Sequence, residues 1–365
     1  MAKEVEYVID ISANSNKNPN HVAQGSKPDH WVDKAGTAFK NPWKSWRTHT
    51  FRDRLNLVPT LMSFPSPPKN IAEIMPIRKP TWGIEPSNSK DTLAENGGKD
   101  SIKTTWLGHA CFLVELPARL GQEGRGVRIL FDPVFSDRCS PSQWIGPKRY
   151  TPPPCKIEDI PEIDAVVISH NHYDHLDTHT IRTLLERTSR TPHFFAPLGN
   201  GAYFKSLGRL VLTKSDDKKA LAIDITCTPG QHFTGRSLTD FFKSLWAGWA
   251  VEEVIEGPTE SSREATKVYF AGDTGYRAVL DGQNEDEVPV CPAFETIGNK
   301  FGGFDVALIP IGLSPRDYMS PIHCAPQDSV RLFKDVKAKK AYLGIDTEDV
   351  TEPPRRLAEE CKKLG

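Results

Sequence analysis

The chain has 365 residues, enough for one large domain or two ordinary ones, and its 46 lysines and arginines against 47 aspartates and glutamates leave a formal charge of −1. That balance gives no electrostatic basis for a nucleic-acid partner. Apolar residues make up 38% of the chain, and the longest apolar runs, such as Ala165 to Ile168, fall far short of the roughly 20 residues that span a bilayer, so no transmembrane helix is expected.

Residues 1–36 are polar, with Asn14, Asn16, Asn18 and Asn20, and cannot bury enough surface to offset their ordering entropy, so a disordered N-terminal arm is expected. Aromatics begin at Phe39. Residues 37–100, proline-punctuated and without a sustained period, read as an extension packing on a core that occupies 101–365. Met1 to Ser12 carries no basic patch followed by an apolar run, and the seven cysteines are odd in number, scattered and never in CxxC spacing. They read as reduced thiols, and the expected compartment is intracellular, either cytoplasmic or peripheral on an internal membrane.

From residue 101 the pattern turns to short β-type runs at Ile102–Trp106, Cys111–Leu116 and Val127–Phe131, separated by glycine-containing turns. Ala165–Ser169 reads as a buried strand, and Thr178–Arg187 as a helix with Ile181, Leu184 and Leu185 on one face. Further strands are predicted at His193–Ala196, Ala220–Thr226, Lys267–Ala271, Val306–Ile311 and Ala341–Ile345, and helices at Ser237–Trp249, Ala325–Lys337 and Pro354–Lys363. The first of these helices would put Phe241, Phe242, Leu245, Trp246 and Trp249 on one stripe, which suits an acyl groove or a membrane surface and, more commonly, a core. No internal repeat is visible.

The sharpest feature is Ser169-His170-Asn171-His172-Tyr173-Asp174-His175-Leu176-Asp177 at a strand end, with four candidate metal ligands in six positions. In extended backbone His170 and His172 project to one side and can share one borderline-soft cation, while Asp174 and His175, beyond a turn, can face a second. A binuclear site needs further ligands from other strand ends. Three are available: His232 in Gly230-Gln231-His232, Asp273 in Gly272-Asp273-Thr274-Gly275, and His323 after the strand ending at Ile311. No GxSxG elbow, P-loop or dinucleotide fingerprint competes with a metal-based hydrolytic reading.

Together with Asn41-Pro42-Trp43, Trp106-Leu107-Gly108-His109-Ala110, Asp132-Pro133-Val134-Phe135-Ser136, Gly146-Pro147-Lys148-Arg149, Lys243-Ser244-Leu245-Trp246 and Phe270-Ala271-Gly272-Asp273-Thr274-Gly275-Tyr276, the histidine run resembles the N-acyl-phosphatidylethanolamine-hydrolysing phospholipase D family of the metallo-β-lactamase superfamily over about residues 38–360. The resemblance implies an α+β fold, an αββα four-layer sandwich with the site at one edge. It also implies two Zn2+ ions, with His170, His172 and His232 on the first, Asp174 and His175 on the second, and Asp273 bridging. Asp174, Asp273 and His323 would then serve catalysis or substrate placement, the substrate would be a phospholipid, and peripheral membrane contact would follow.

One departure stands out. After the strand ending at Ile345 the family reads His-Trp-Gly-Thr, whose histidine completes the second zinc site, whereas here Gly344-Ile345 runs into Asp346-Thr347-Glu348-Asp349 and rejoins the family pattern at Glu352-Pro353-Pro354. Asp346 is a substitute oxygen donor or a solvated loop acid, the latter being the commoner role. The expected reaction is hydrolysis of N-acyl-phosphatidylethanolamine to N-acylethanolamine and phosphatidic acid. The alternatives are a hydrolase of a thioester, lactone or nucleotide phosphodiester on the same fold, or an inactive copy holding one zinc. Nitrogen and carboxylate donors also suit iron or manganese. The sequence leaves the oligomeric state open.

Overall fold

A computed structural model describes residues 27–50, 53, 67–83, 101–118, 125–187, 191–207, 222–237, 239–255, 264–312, 315–345 and 351–364. Two five-stranded sheets lie face to face. The first contains β1 (Lys103–Gly108), β2 (Cys111–Glu115), β3 (Arg128–Phe131), β4 (Ala165–Val167) and β5 (His193–Phe195) in that order. The second contains β6 (Ala222–Thr228), β7 (Gly248–Val254), β8 (Lys267–Phe270), β9 (Val306–Ile311) and β10 (Ala341–Ile345), also in chain order across the sheet. Each sheet runs antiparallel, antiparallel, parallel, parallel, so the two halves repeat one topology that the sequence does not display as a repeat.

Period-2 alternation in the central strands builds the layers. Ile129 and Phe131 of β3 and Val268 and Phe270 of β8 point into the space between the sheets, where the rings of Phe131 and Phe270 stand 4.8 Å apart. Leu130 and Val166 face the opposite way, onto α2 (Thr178–Arg187) through Ile181 and Leu184. Tyr269, Ala307 and Ile309 likewise meet Phe294 and Ile297 of α4 (Ala293–Phe301) and Leu332 of α6 (Pro326–Asp335). Helices therefore cover both outer faces, and the αββα four-layer arrangement expected from sequence is the observed one.

Short helices α1 (Ile71–Ile74), α3 (Gly201–Ser206) and α5 (Arg316–Met319) and the terminal α7 (Glu352–Leu364) complete the described elements. Residues 27–40 are held by a Trp31–Phe39 bridge, and the chain then reaches the second half: Phe39 N–H donates to Phe242 O, and Ser45 Oγ donates to the buried Gln231. Residues 1–26 lie outside the described residues, as does 346–350, which contains Asp346 and the departure from the family pattern.

The helix predicted at Ser237–Trp249 does not form. Asp240 accepts the backbone N–H groups of Arg236 and Ser237, which shapes a turn, and Phe242 sits at φ +59, a left-handed conformation incompatible with a continuing helix. From Gly248 the chain is strand β7, antiparallel to both β6 and β8. Trp246 and Trp249 are core, whereas Phe241 is exposed. Helices α3 and α4 were not predicted, and β6 continues to Thr228, past the predicted end at Thr226, while Ala220 and Leu221 of that prediction lie outside the described residues.

Candidate metal centre

The centre lies where the segments following β3, β4, β6, β8 and β9 meet at one edge of the sandwich. Segments from the two sheets come close because Gly272 has no side chain: at φ +59, a Cβ there would fall 2.5 Å from Ser169 Cβ. This contact sets Asp273 against the histidine run that begins at His170.

His170 is fully buried, and its Nδ1 lies 2.8 Å from Ser169 Oγ, which itself donates to Asp132 Oδ2. Since the hydroxyl proton goes to the carboxylate, Ser169 Oγ accepts from His170 Nδ1–H, and His170 presents a bare Nε2 inward. His232 shows the same polarity more directly. Its Nδ1–H donates to the Ile322 carbonyl at 2.8 Å, an oxygen that can only accept, and its Nε2 is buried without a hydrogen-bond partner. A buried lone pair left without a donor is the signature of a ligand for a positive centre. His172 closes the group, with Nδ1 2.8 Å from His170 Nε2, and the three imidazoles can place one donor atom each within 4.8 Å of one another. Burial pushes all three toward the neutral form that ligates metals, His172 to about 4 and His170 and His232 well below the usual histidine value.

A second group sits beside the first, made of His109, Asp174 and His175. His175 is fully buried, its Nδ1 lies 2.6 Å from Asp132 Oδ2 and its Nε2 lies 3.0 Å from Asp273 Oδ2. Burial opposes its charge, but Asp273, Asp174 and Asp132 outweigh burial and raise its pKa well above the ordinary value. Asp273 experiences the converse: burial favours its neutral acid, and His175 with His323 overcomes this and holds the carboxyl well below the usual range. Asp174 is one-third exposed and is likewise held low, with His175 and the hydrogen bond from His109 overriding partial burial.

His323 lies between α5 and α6, with Nδ1 3.8 Å from Asp273 Oδ2 and its ring 5.2 Å from that of His232. His232, Asp273 and His323 form a further group whose donor atoms can converge. All seven site residues named from sequence, His170, His172, Asp174, His175, His232, Asp273 and His323, are thus brought together. The donor set of imidazoles and carboxylates, with the orphaned buried His232 Nε2 among them, fits cation binding.

Two residues of the centre, Asp132 and His109, figured in the sequence only as members of the motifs Asp132–Ser136 and Trp106–Ala110, with no site role assigned. Asp132 follows β3 as Asp273 follows β8, and it accepts Ser169 N–H, Ser169 Oγ–H and the His175 contact from full burial. An acid placed directly after a buried strand was its sequence signal. His109 sits in the tight β1–β2 turn at φ +48, in a glycine-flanked position whose signal is its φ demand rather than any ligand spacing.

Several segments hold the frame. Gln231, fully buried, donates through Nε2 to Pro321 O, accepts from Ser45, and takes Thr274 Oγ1 on its backbone N–H, which fixes the segment bearing His232. Arg236 donates to the carbonyls of Asn171 and Leu176 and lies 3.9 Å over the Tyr173 ring, clamping the histidine loop. Phe233 packs on His172 at 4.5 Å and stacks against Phe241 at 6.3 Å, so an aromatic wall rises from the metal centre toward solvent.

The sequence profile of the beta-lactamase superfamily domain matches residues 127–344. The chain is 33% identical to N-acyl-phosphatidylethanolamine-hydrolyzing phospholipase D 1 of Caenorhabditis elegans, over 89% of this chain and 86% of that protein. It is 29% identical to the mitochondrial N-acyl-phosphatidylethanolamine-hydrolyzing phospholipase D of Saccharomyces cerevisiae, over 84% of this chain and 66% of that protein. An uncharacterized protein of Mycobacterium tuberculosis is 38% identical over 66% of this chain, which spans 56% of its length.

Proposed function

The chain belongs to the N-acyl-phosphatidylethanolamine-hydrolysing phospholipase D family of metal-dependent hydrolases in the beta-lactamase superfamily, and from that premise we propose that it hydrolyses N-acyl-phosphatidylethanolamine to N-acylethanolamine and phosphatidic acid with two zinc ions. The observation that carries this reading is the buried, unpartnered His232 Nε2 facing His170 and His172, beside a carboxylate shared with a second cluster.

His170, His172 and His232 would hold the first ion, Asp174 and His175 the second, and Asp273 both. Bound there, the ions would lower the pKa of a shared water toward roughly 7 and offset charge on the phosphodiester. The protein's own groups do the rest. Asp174, one-third exposed beside His109, would orient the attacking water by accepting its hydrogen bond. His323, across the cleft, places the phosphate and can pass a proton to the departing ethanolamine oxygen. Ser169 and Asp132 keep His170 and His175 in fixed tautomers, so the site needs little reorganisation.

Two features support a lipid substrate. The wall of Phe233, Phe241 and Phe242 adjoins His172 and offers apolar surface to an acyl chain. A hairpin-like loop, closed by Cys139 N–H to Pro147 O and Arg149 N–H to Asp137 O, presents Trp144 at 91% and Ile145 at 69% exposure, a pair suited to the headgroup level of a bilayer. Its base is close to the centre, since Arg149 Nη2 lies 2.8 Å from where a Cβ of Gly108 would be.

The decisive test incubates the zinc-loaded chain with vesicles of N-acyl-phosphatidylethanolamine and measures N-acylethanolamine release by mass spectrometry, with Asp273→Asn beside it. Release by the native chain and near-complete loss in the variant are expected. Turnover of a thioester, lactone or nucleotide phosphodiester but not the lipid would replace this substrate with another.

A further inference from the structure

We propose that His109 is a ligand of the second cation, so that the second site is complete without a histidine after β10. This inference rests on the metal-dependent reading above but not on its substrate. A zinc site commonly takes four donors, and Asp174, His175 and the shared Asp273 supply three. His109 is placed to supply the fourth: its Nε2 lies 3.3 Å from Asp174 Oδ2 and 3.3 Å from His175 Nε2. His175 Nδ1 is committed to Asp132, so the nitrogen that faces His109 is Nε2, which also lies 3.0 Å from Asp273 Oδ2 and is the one placed to ligate. Two imidazole Nε2 atoms and a carboxylate oxygen can thus lie within 4.8 Å of one another, as the three imidazoles of the His170 group do.

The backbone is built for this placement. His109 occupies φ +48 directly after Gly108 at φ +101, a conformation that a histidine adopts at a cost, and Trp106 Nε1–H holds it by donating to His109 O at 2.7 Å. The turn projects the ring into a cleft shared with Asp273 and His323, between Phe112 of the first sheet and Leu308 of the second. An ordinary surface ion pair between His109 and Asp174 would not require a strained turn, nor the second imidazole nitrogen opposite.

The test titrates metal-stripped full chain with zinc alone, reading stoichiometry by calorimetry and, after dialysis, by elemental analysis, for the native protein, His109→Ala, His109→Gln and His172→Ala. Two equivalents are expected for the native chain. Each His109 variant should keep one tight equivalent and bind the second about a hundredfold or more weaker, while His172→Ala should lose the other. X-ray absorption of the fully zinc-loaded native chain and His109→Gln supplies a second readout, with one imidazole fewer per metal pair in the variant. Unchanged second-site affinity in His109→Gln overturns the inference, and so does a native chain that binds a single zinc indifferent to His109. If His109→Ala fails to fold, the glutamine variant and the native absorption spectrum decide. A chain that binds two zincs through His109 yet spares the lipid would sink the substrate and leave this ligand standing.

Discussion

The second ring nitrogen fixes the orientation of three of the histidines. His170, His175 and His232 each spend Nδ1 on a serine, a carboxylate and a carbonyl respectively, leaving Nε2 for the centre. His172→Ala and His232→Ala are each expected to abolish high-affinity binding of the first metal, because two imidazoles are too few for a tetrahedral site. Elemental analysis checks this, and full metal content in either variant would place the ligands elsewhere. Asp132 acts one step back, through His175 and Ser169. Asp132→Asn is expected to weaken zinc by about 10–100-fold while preserving the fold, measured by competition with a chelator of known affinity. The spacing of His170, His172, Asp174 and His175 was legible because local backbone alone puts them together. His109 and Asp132 were not, because their proximity to His175 arises only when β1, β3 and β4 are neighbours in space.

Elements carried most of their own signal wherever a strand was buried or a helix kept one apolar face, as in β4, β9 and α2. The error at Ser237–Trp249 has a definite cause: aromatics at helical spacing were split between an Asp240 turn and β7, and the strand's identity depends on pairing with β6 and β8. The segment that presents His323 is fastened by a buried charge network. Asp328, fully buried at the start of α6, pairs with Arg277 Nε at 2.7 Å and Arg316 Nη1 at 2.9 Å. Asp328→Ala leaves two guanidinium groups short of a partner and is expected to cost about 3–5 kcal/mol in urea unfolding.

Glu285 joins the same arginines, and although burial opposes its ionised form, hydrogen bonds from Arg316 and Gln327 lower its pKa. A lowered folded pKa means that its stabilisation is present above the unfolded value of roughly 4.3 and fades as pH falls through the folded one. Glu285→Gln should therefore reduce stability at neutral pH and flatten the acid limb of the stability curve. An unchanged acid limb would assign that loss to other carboxylates.

At the scale of the molecule, two sheets of identical strand sense bring the ends of β3, β4, β6, β8 and β9 to one edge, so each half contributes an acid from the segment after a central strand, Asp132 immediately after β3 and Asp273 three positions past β8. No helix among the described residues is long and apolar enough to cross a membrane. If the chain acts on a lipid as proposed, contact with a bilayer is expected through the exposed Trp144–Ile145 tip. Replacing both by alanine should lower binding to phosphatidylcholine vesicles several-fold and remove any blue shift of tryptophan emission on vesicle addition. Equal binding of variant and native chain would move the contact to another surface.

From sequence alone the short motifs pointed to the family and, through that resemblance, to the layered α+β architecture, and local spacing marked the candidate ligand run after β4. The tertiary structure decided which remote groups join that run. Whether Asp132 orients His175, whether His109 reaches Asp174, and whether Phe233 rather than a helical stripe walls the centre are set by strand order and by close approaches such as Gly272 to Ser169. These contacts link residues far apart in the chain, and no local pattern encodes the distance between them.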